Sequence, residues 1–163
     1  MTDDLAATRI QPSAPALAVR GVSVVYGRRR ILDAVDLEVA PGEIFGLIGL
    51  NGVGKTTLIK AILDLTDAAG GSVDIFGIDS ARPASRKAIA YLPEHLQPSR
   101  NLKGSEFIAL SLAYFGIVAD DLPAAARGLA LDPAALSRRM STYSKGMVQK
   151  VGLLATLLSN ARF

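Results

Sequence analysis

The chain has no cysteine and a single histidine, His95. These absences exclude disulfide scaffolds, thiol nucleophiles, Cys-ligated zinc and any His-based triad or His-rich metal centre. Long hydrophobic runs are missing too. The longest uncharged stretch, "FIALSLAYFGIVA" (Phe107–Ala119), has 13 residues, short of the roughly 17–25 that cross a bilayer. The first residues, "MTDDLAATRIQPSAP", carry acids and no apolar segment, so they do not resemble a signal peptide. A soluble chain is the expectation. Acids are absent in a more local way: all fifteen lie at or before Asp132, while Arg138, Arg139, Lys145, Lys150 and Arg162 follow it. The formal charge of +3 therefore comes from the last thirty-one residues, and the first 132 are slightly acidic. That distribution is better read as a solvated basic face than as a nucleic-acid footprint.

Half of the 163 residues are apolar and a fifth are charged, enough for one ordinary core and incompatible with disorder. "LAVRGVSVVY" (Leu17–Tyr26) has strand character, and "ILDAVDLEV" (Ile31–Val39) alternates apolar and acidic residues like a half-buried strand. After the Pro41-Gly42 turn, "EIFGLIG" predicts a short strand buried on both faces. It leads into a helix carrying Leu58, Ile59, Ile62 and Leu63. "SVDIFG" and "AIAYLPE" (Ala88–Glu94) predict further strands. Residues 102–141 read as helical, punctuated by Pro123 and Pro133, and a helix over about Lys145–Ser159 should be buried. Strands alternating with helices predict an α/β core with a mostly helical insertion.

"GLNGVGKT" (Gly49–Thr56) has the spacing G-x-x-x-x-G-K-[ST], placed between a predicted buried strand and a helix. Gly49, Gly52 and Gly54 let successive backbone N–H groups turn inward around an anion. Lys55 can reach β- and γ-phosphates, the Thr56 hydroxyl can ligate Mg²⁺, and Thr57 adds a donor at the helix start. Chance gives this spacing in about one chain of this length in two hundred, so a nucleoside-triphosphate site outweighs a structural turn. Near the end, "YSKGM" (Tyr143–Met147) opens the last helix. By itself it is compatible with a plain helix cap at Ser144.

Taken together, these segments resemble the ATP-binding subunits of ABC transporters. "GLNGVGKTT" is similar to the family's Walker A, and "YSKGM" to its signature sequence, with Lys145 in place of a glycine and Met147 in place of the usual glutamine. "VVYG" puts Tyr26 at the position of the aromatic residue that stacks on adenine, and "YLPE" puts Glu94 at the Q-loop position, where glutamine is usual. The resemblance implies a P-loop NTPase core of ABC type, incomplete at the C-terminus. It divides the chain into a flexible segment over 1–16, an ATP-binding α/β core over 17–94, a helical subdomain over 95–143, and the signature with its return helix over 144–163. It implies ATP and Mg²⁺ as ligands. ATP would be held by Tyr26, Gly49, Asn51, Gly52, Gly54, Lys55, Thr56 and Thr57, with Ser144 and Gly146 serving the nucleotide seated on a second subunit. Thr56 and Glu94 would hold the metal. Glu94 is otherwise a solvated loop acid, Gln97 is a weaker substitute, and His95 reads as a loop residue. The implied partners are a second copy, head to tail, and a transmembrane permease docked near the Q-loop and the Phe107–Ala119 helix, although that helix is equally compatible with core packing. The implied place is the inner face of the membrane, with no nucleic acid as partner.

The resemblance also sets a limit. In the family, the Walker B aspartate, the catalytic glutamate and a later histidine follow the signature helix. This sequence has no acid after Asp132 and no histidine after His95. No water-activating residue is therefore assigned, Glu94 at the Q-loop position is the one catalytic candidate, and turnover by these 163 residues alone is not expected. Two alternatives stay open: a soluble ABC-type ATPase acting on ribosomes or DNA, and a nucleotide-binding remnant that does not hydrolyse.

Overall fold

The computed structural model describes residues 14–163, which form two compact units divided between Ser85 and Arg86. The predicted flexible segment over 1–16 lies almost wholly outside the described residues.

The first unit is built on an antiparallel sheet of order β2-β1-β3-β4. β1 (Leu17–Tyr26) and β2 (Arg29–Val39) are joined by the two-residue Gly27-Arg28 turn, with Tyr26 opposite Arg29. β3 (Gly70–Ile75) pairs with the other edge of β1, and the short β4 (Ile78–Asp79) closes the order. β1 is central, so its Leu17, Ala18 and Val19 are buried in succession before Val22 and Val24 resume alternation. The helix α1 (Lys55–Ile62) packs on β1 and β2, burying Leu58, Ala61 and Ile62. Its opposite side carries Lys60 to solvent, the amphipathic division its spacing predicts.

Residues 43–49 depart from expectation. They form no strand, and Ile44 and Ile48 are 99% and 93% exposed. A strand buried on both faces exists only where neighbours accept its ladder bonds and cover its side chains. Among the described residues no strand lies beside this segment. Local apolarity alone did not supply those neighbours.

A short helical turn, α2 (Pro83–Arg86), leads into the second unit, which is helical. It contains α3 (Gly104–Ala113), α4 (Leu122–Gly128), two 3₁₀ turns (Pro133–Ser137 and Met140–Thr142) and α5 (Lys145–Leu158). Asp121 caps α4 and Asp132 caps the first 3₁₀ turn, each accepting from a backbone N–H two or three residues on. Pro123 and Pro133 thus sit in first turns, where their missing N–H costs nothing. Ile108 and Leu112, one turn apart on α3, meet Ala126, Leu131, Leu136, Met140, Val151 and Leu154 in a dry core. Burying each such aliphatic side chain contributes roughly 2–3 kcal/mol.

Two expectations need correction here. Ala88–Glu94 is not a strand; it forms a single rung, in which Phe163 donates to the Ala88 carbonyl at 2.8 Å and accepts from the Ala90 N–H at 2.9 Å. This is the bond pattern of a parallel pair, but one rung does not make a ladder. The face of α5 with Val151, Leu154 and Ala155 is buried as expected, while Leu153 and Leu157 on the other face are exposed.

Candidate nucleotide-binding site

In the first unit the predicted phosphate cradle lies between the irregular segment after β2 and α1. Gly54 immediately precedes α1 with φ of +103°. A Cβ there would come within 2.9 Å of the Leu32 side chain and 3.2 Å of the Ile31 carbonyl, so only glycine fits. α1 has no side-chain cap and no acid in its first turn, so its leading N–H groups and positive dipole end remain open to an anion. Asn51 and Gly52 are exposed on the loop, and Thr56 and Thr57 lie in the helix's first turn. The Lys55 ammonium donates to the Gly49 and Leu50 carbonyls, both at 2.7 Å. The lysine thus lies across the loop it belongs to, held by neutral acceptors that a phosphate oxygen can outbid. A glycine-rich loop, an uncapped helix start and one cation held only by neutral carbonyls fit a triphosphate by charge.

Tyr26 ends β1, half exposed, and its hydroxyl shares a 3.0 Å hydrogen bond with Thr66 Oγ1. Sequence reasoning gave no hint of Thr66, because the two residues are 40 positions apart and nothing periodic links them.

The signature residues belong to the second unit. Ser144 is the N-cap of α5, its Oγ accepting from the Met147 N–H at 3.3 Å. Ser144, Lys145 and Gly146 are exposed, and the first turn of α5 contains no acid. Tyr143, just before the cap, is held from within: its hydroxyl donates to the Ala135 carbonyl at 2.6 Å. Burial pushes the Tyr143 phenol above its ordinary pKa, with Arg138 nearby pulling the other way. Backbone bonds from Gly104 N–H to Arg138 and from Met140 N–H to Leu102 fix the approach to the cap against the start of α3. The cap reading and the anion reading of Ser144 therefore coexist, since capping engages one N–H and leaves the others forward-facing.

Glu94 is exposed, with His95 Nε2 at 3.8 Å from its carboxylate. The Gln149 side-chain amide donates to the Glu94 backbone carbonyl, tying this loop to α5. Gln149 was not singled out in the sequence; its only signal is its place on the second turn of α5. Among the described residues no three acids or histidines converge as a metal-binding group, and no helix is long and apolar enough to cross a membrane.

Comparisons with known proteins bear on the family and the fold. The family profile described as "ABC transporter" matches residues 32–163. The chain is 36% identical over 146 residues to the zinc import ATP-binding protein ZnuC of Jannaschia sp., covering 88% of this chain and 55% of that protein. It is 30% identical to the Nod factor export ATP-binding protein I of Rhizobium etli, covering 89% of this chain and 48% of that one. The chain thus spans about half the length of these curated relatives. Among solved structures, the ATP-binding subunit of an ABC transporter superposes with a TM-score of 0.82 at 33% identity, over 88% of this chain and 62% of that one. A P-loop NTPase core with a helical second unit, matched along most of its length, identifies the chain as a member of the ABC transporter ATP-binding family.

Proposed function

We propose that the chain is the ATP-binding portion of an ABC transporter subunit and that two copies close head to tail around Mg-ATP. The observation that carries this reading is that one chain presents two helix starts without an acid in the first turn, α1 at Lys55, uncapped, and α5 at Lys145, where the Ser144 cap engages only the Met147 N–H. A second anion site is redundant for one nucleotide in one chain, and useful where the anion is seated on another copy. The nucleotide lies on Gly49, Asn51, Gly52, Gly54, Lys55, Thr56 and Thr57, with its base on Tyr26. Ser144 and the Gly146 N–H face the γ-phosphate carried by the partner copy. The Thr56 hydroxyl would ligate Mg²⁺, whose charge neutralises the phosphates. With this reading goes a proposed functional division at residues 16, 94 and 143, which differs from the compact units that part between Ser85 and Arg86.

These 163 residues bind and clamp; hydrolysis in the family also uses an aspartate, a glutamate and a histidine that have no counterpart after Asp132 or His95. Relatives named for import and for export both match the chain, at 36% and 30% identity, so these matches do not separate the two directions. Transport belongs to a membrane subunit at the inner face, and the exposed Leu110, Tyr114 and Val118 offer it an apolar surface.

The sandwich is tested by sedimentation of the chain with and without Mg-ATP. Nucleotide should produce a dimer, and Ser144→Ala should weaken that dimer at least tenfold while leaving ATP binding to the monomer unchanged. The lost cap should cost only about 0.5–1 kcal/mol of stability. A chain that binds Mg-ATP yet stays monomeric at saturation overturns the sandwich.

A further inference from the structure

We propose that Thr66 is a positioning residue that holds the Tyr26 ring ready for a nucleobase; this rests on the reading of Tyr26 as the adenine platform. Tyr26 is the last residue of β1, beside a two-residue turn, and half of it faces solvent. A ring in that setting would sample several rotamers, and each stacking event would have to freeze one. The Thr66 hydroxyl removes that freedom by binding the phenol oxygen at 3.0 Å. A phenol hydrogen bond lies near the plane of the ring, so it fixes orientation without covering either π-face.

Thr66 can serve as an anchor because its own segment is fixed at both ends. On one side the Leu65 N–H returns to the Lys60 carbonyl at 2.8 Å, closing the end of α1. On the other the Ala69 N–H binds the Ser23 carbonyl at 2.7 Å, on the strand that carries Tyr26. The same helix begins at Lys55. The element that presents phosphate donors at its first turn thus anchors, just past its last turn, the residue that orients the base platform. Base and triphosphate ends of the nucleotide are referred to one rigid helix.

The test is calorimetric titration of the 163-residue chain with Mg-ATP and, separately, with inorganic triphosphate, which has no base to stack. Tyr26→Phe and Thr66→Val each delete the bond and keep the shape. Each should lower ATP affinity about three- to tenfold, and the double variant should bind no more weakly than either single one. Thr66→Ser, which keeps the hydroxyl, should restore most of the affinity. Triphosphate binding should be the same in all of them, which also certifies that the variants are folded. ATP affinity unchanged in Tyr26→Phe and Thr66→Val overturns the proposal, and so does a parallel fall for ATP and triphosphate, the mark of a merely structural role. Tyr26→Ala separates the two levels: if it leaves ATP binding unchanged, the platform reading itself fails, whereas if it weakens binding while Thr66→Val does not, only the anchor fails.

Discussion

Lys55→Ala is expected to reduce the affinity of the chain for Mg-ATP by about a hundredfold or more, measured by equilibrium titration. Two charge-assisted hydrogen bonds to phosphate oxygens, at about 1.5–3 kcal/mol each, set that scale. The gain is a difference, because the ammonium first gives up the Gly49 and Leu50 carbonyls it holds at 2.7 Å. Those are neutral acceptors, so the exchange for anionic oxygens stays strongly favourable. The substitution also frees two loop carbonyls, which raises the objection that affinity falls through a changed loop rather than a lost charge. Lys55→Gln answers it. A glutamine amide can bond a carbonyl but carries no charge, so it should bind ATP almost as poorly as alanine. Both variants should melt within a few degrees of the parent, since Lys55 contributes nothing to the buried core. ATP affinity unchanged in Lys55→Ala would end the phosphate-cradle reading.

How far the sequence anticipated the structure depended on the range of the interaction involved. β1 was read to its observed ends because the strand character of Leu17–Tyr26 is local, and a cap at Ser144 could be weighed beside its anion-binding reading because capping acts within three residues. α5 was placed to within a residue, since its limits are the serine cap and the end of its apolar run. Residues 43–49 misled for the opposite reason: the stability of a two-sided strand resides in its neighbours, and composition reports only the demand for them. Ala88–Glu94 failed the same way, keeping one rung with Phe163. The P-loop motif was legible because it is made of consecutive residues. The Tyr26–Thr66 and Gln149–Glu94 contacts were not, being created by chain segments 40 and 55 residues apart that meet only after folding.

The same distinction picks out the most sensitive position of the first unit, Gly71. It lies in β3 with φ of +89°, facing the place where β1 slips register between Arg20 and Ser23. A Cβ at Gly71 would come within 2.5 Å of the Arg20 and Gly21 carbonyl oxygens. Both are backbone atoms of the central strand, so no rotamer change relieves the overlap and the pairing of β1 with β3 must open. Adding the cost of a left-handed conformation for a residue with a side chain, Gly71→Ala should destabilise the chain by about 2–4 kcal/mol. At this size that is a fall in Tm of roughly 5–15 °C by calorimetry. Gly70→Ala is the control: its Cβ would meet nothing within 4 Å, and it should melt within about 3 °C of the parent. Opening the β1–β3 pairing also loosens the Ala69–Ser23 bond that steadies the segment bearing Thr66. Folded Gly71→Ala should therefore lose ATP affinity while keeping inorganic triphosphate, because the main packing partners of α1 and its Lys55 in the sheet are β1 and β2. If Gly71→Ala melts with the parent, the register slip does not hold this sheet in place, and the anchoring of Tyr26 through β1 and its partner strands loses its mechanical basis.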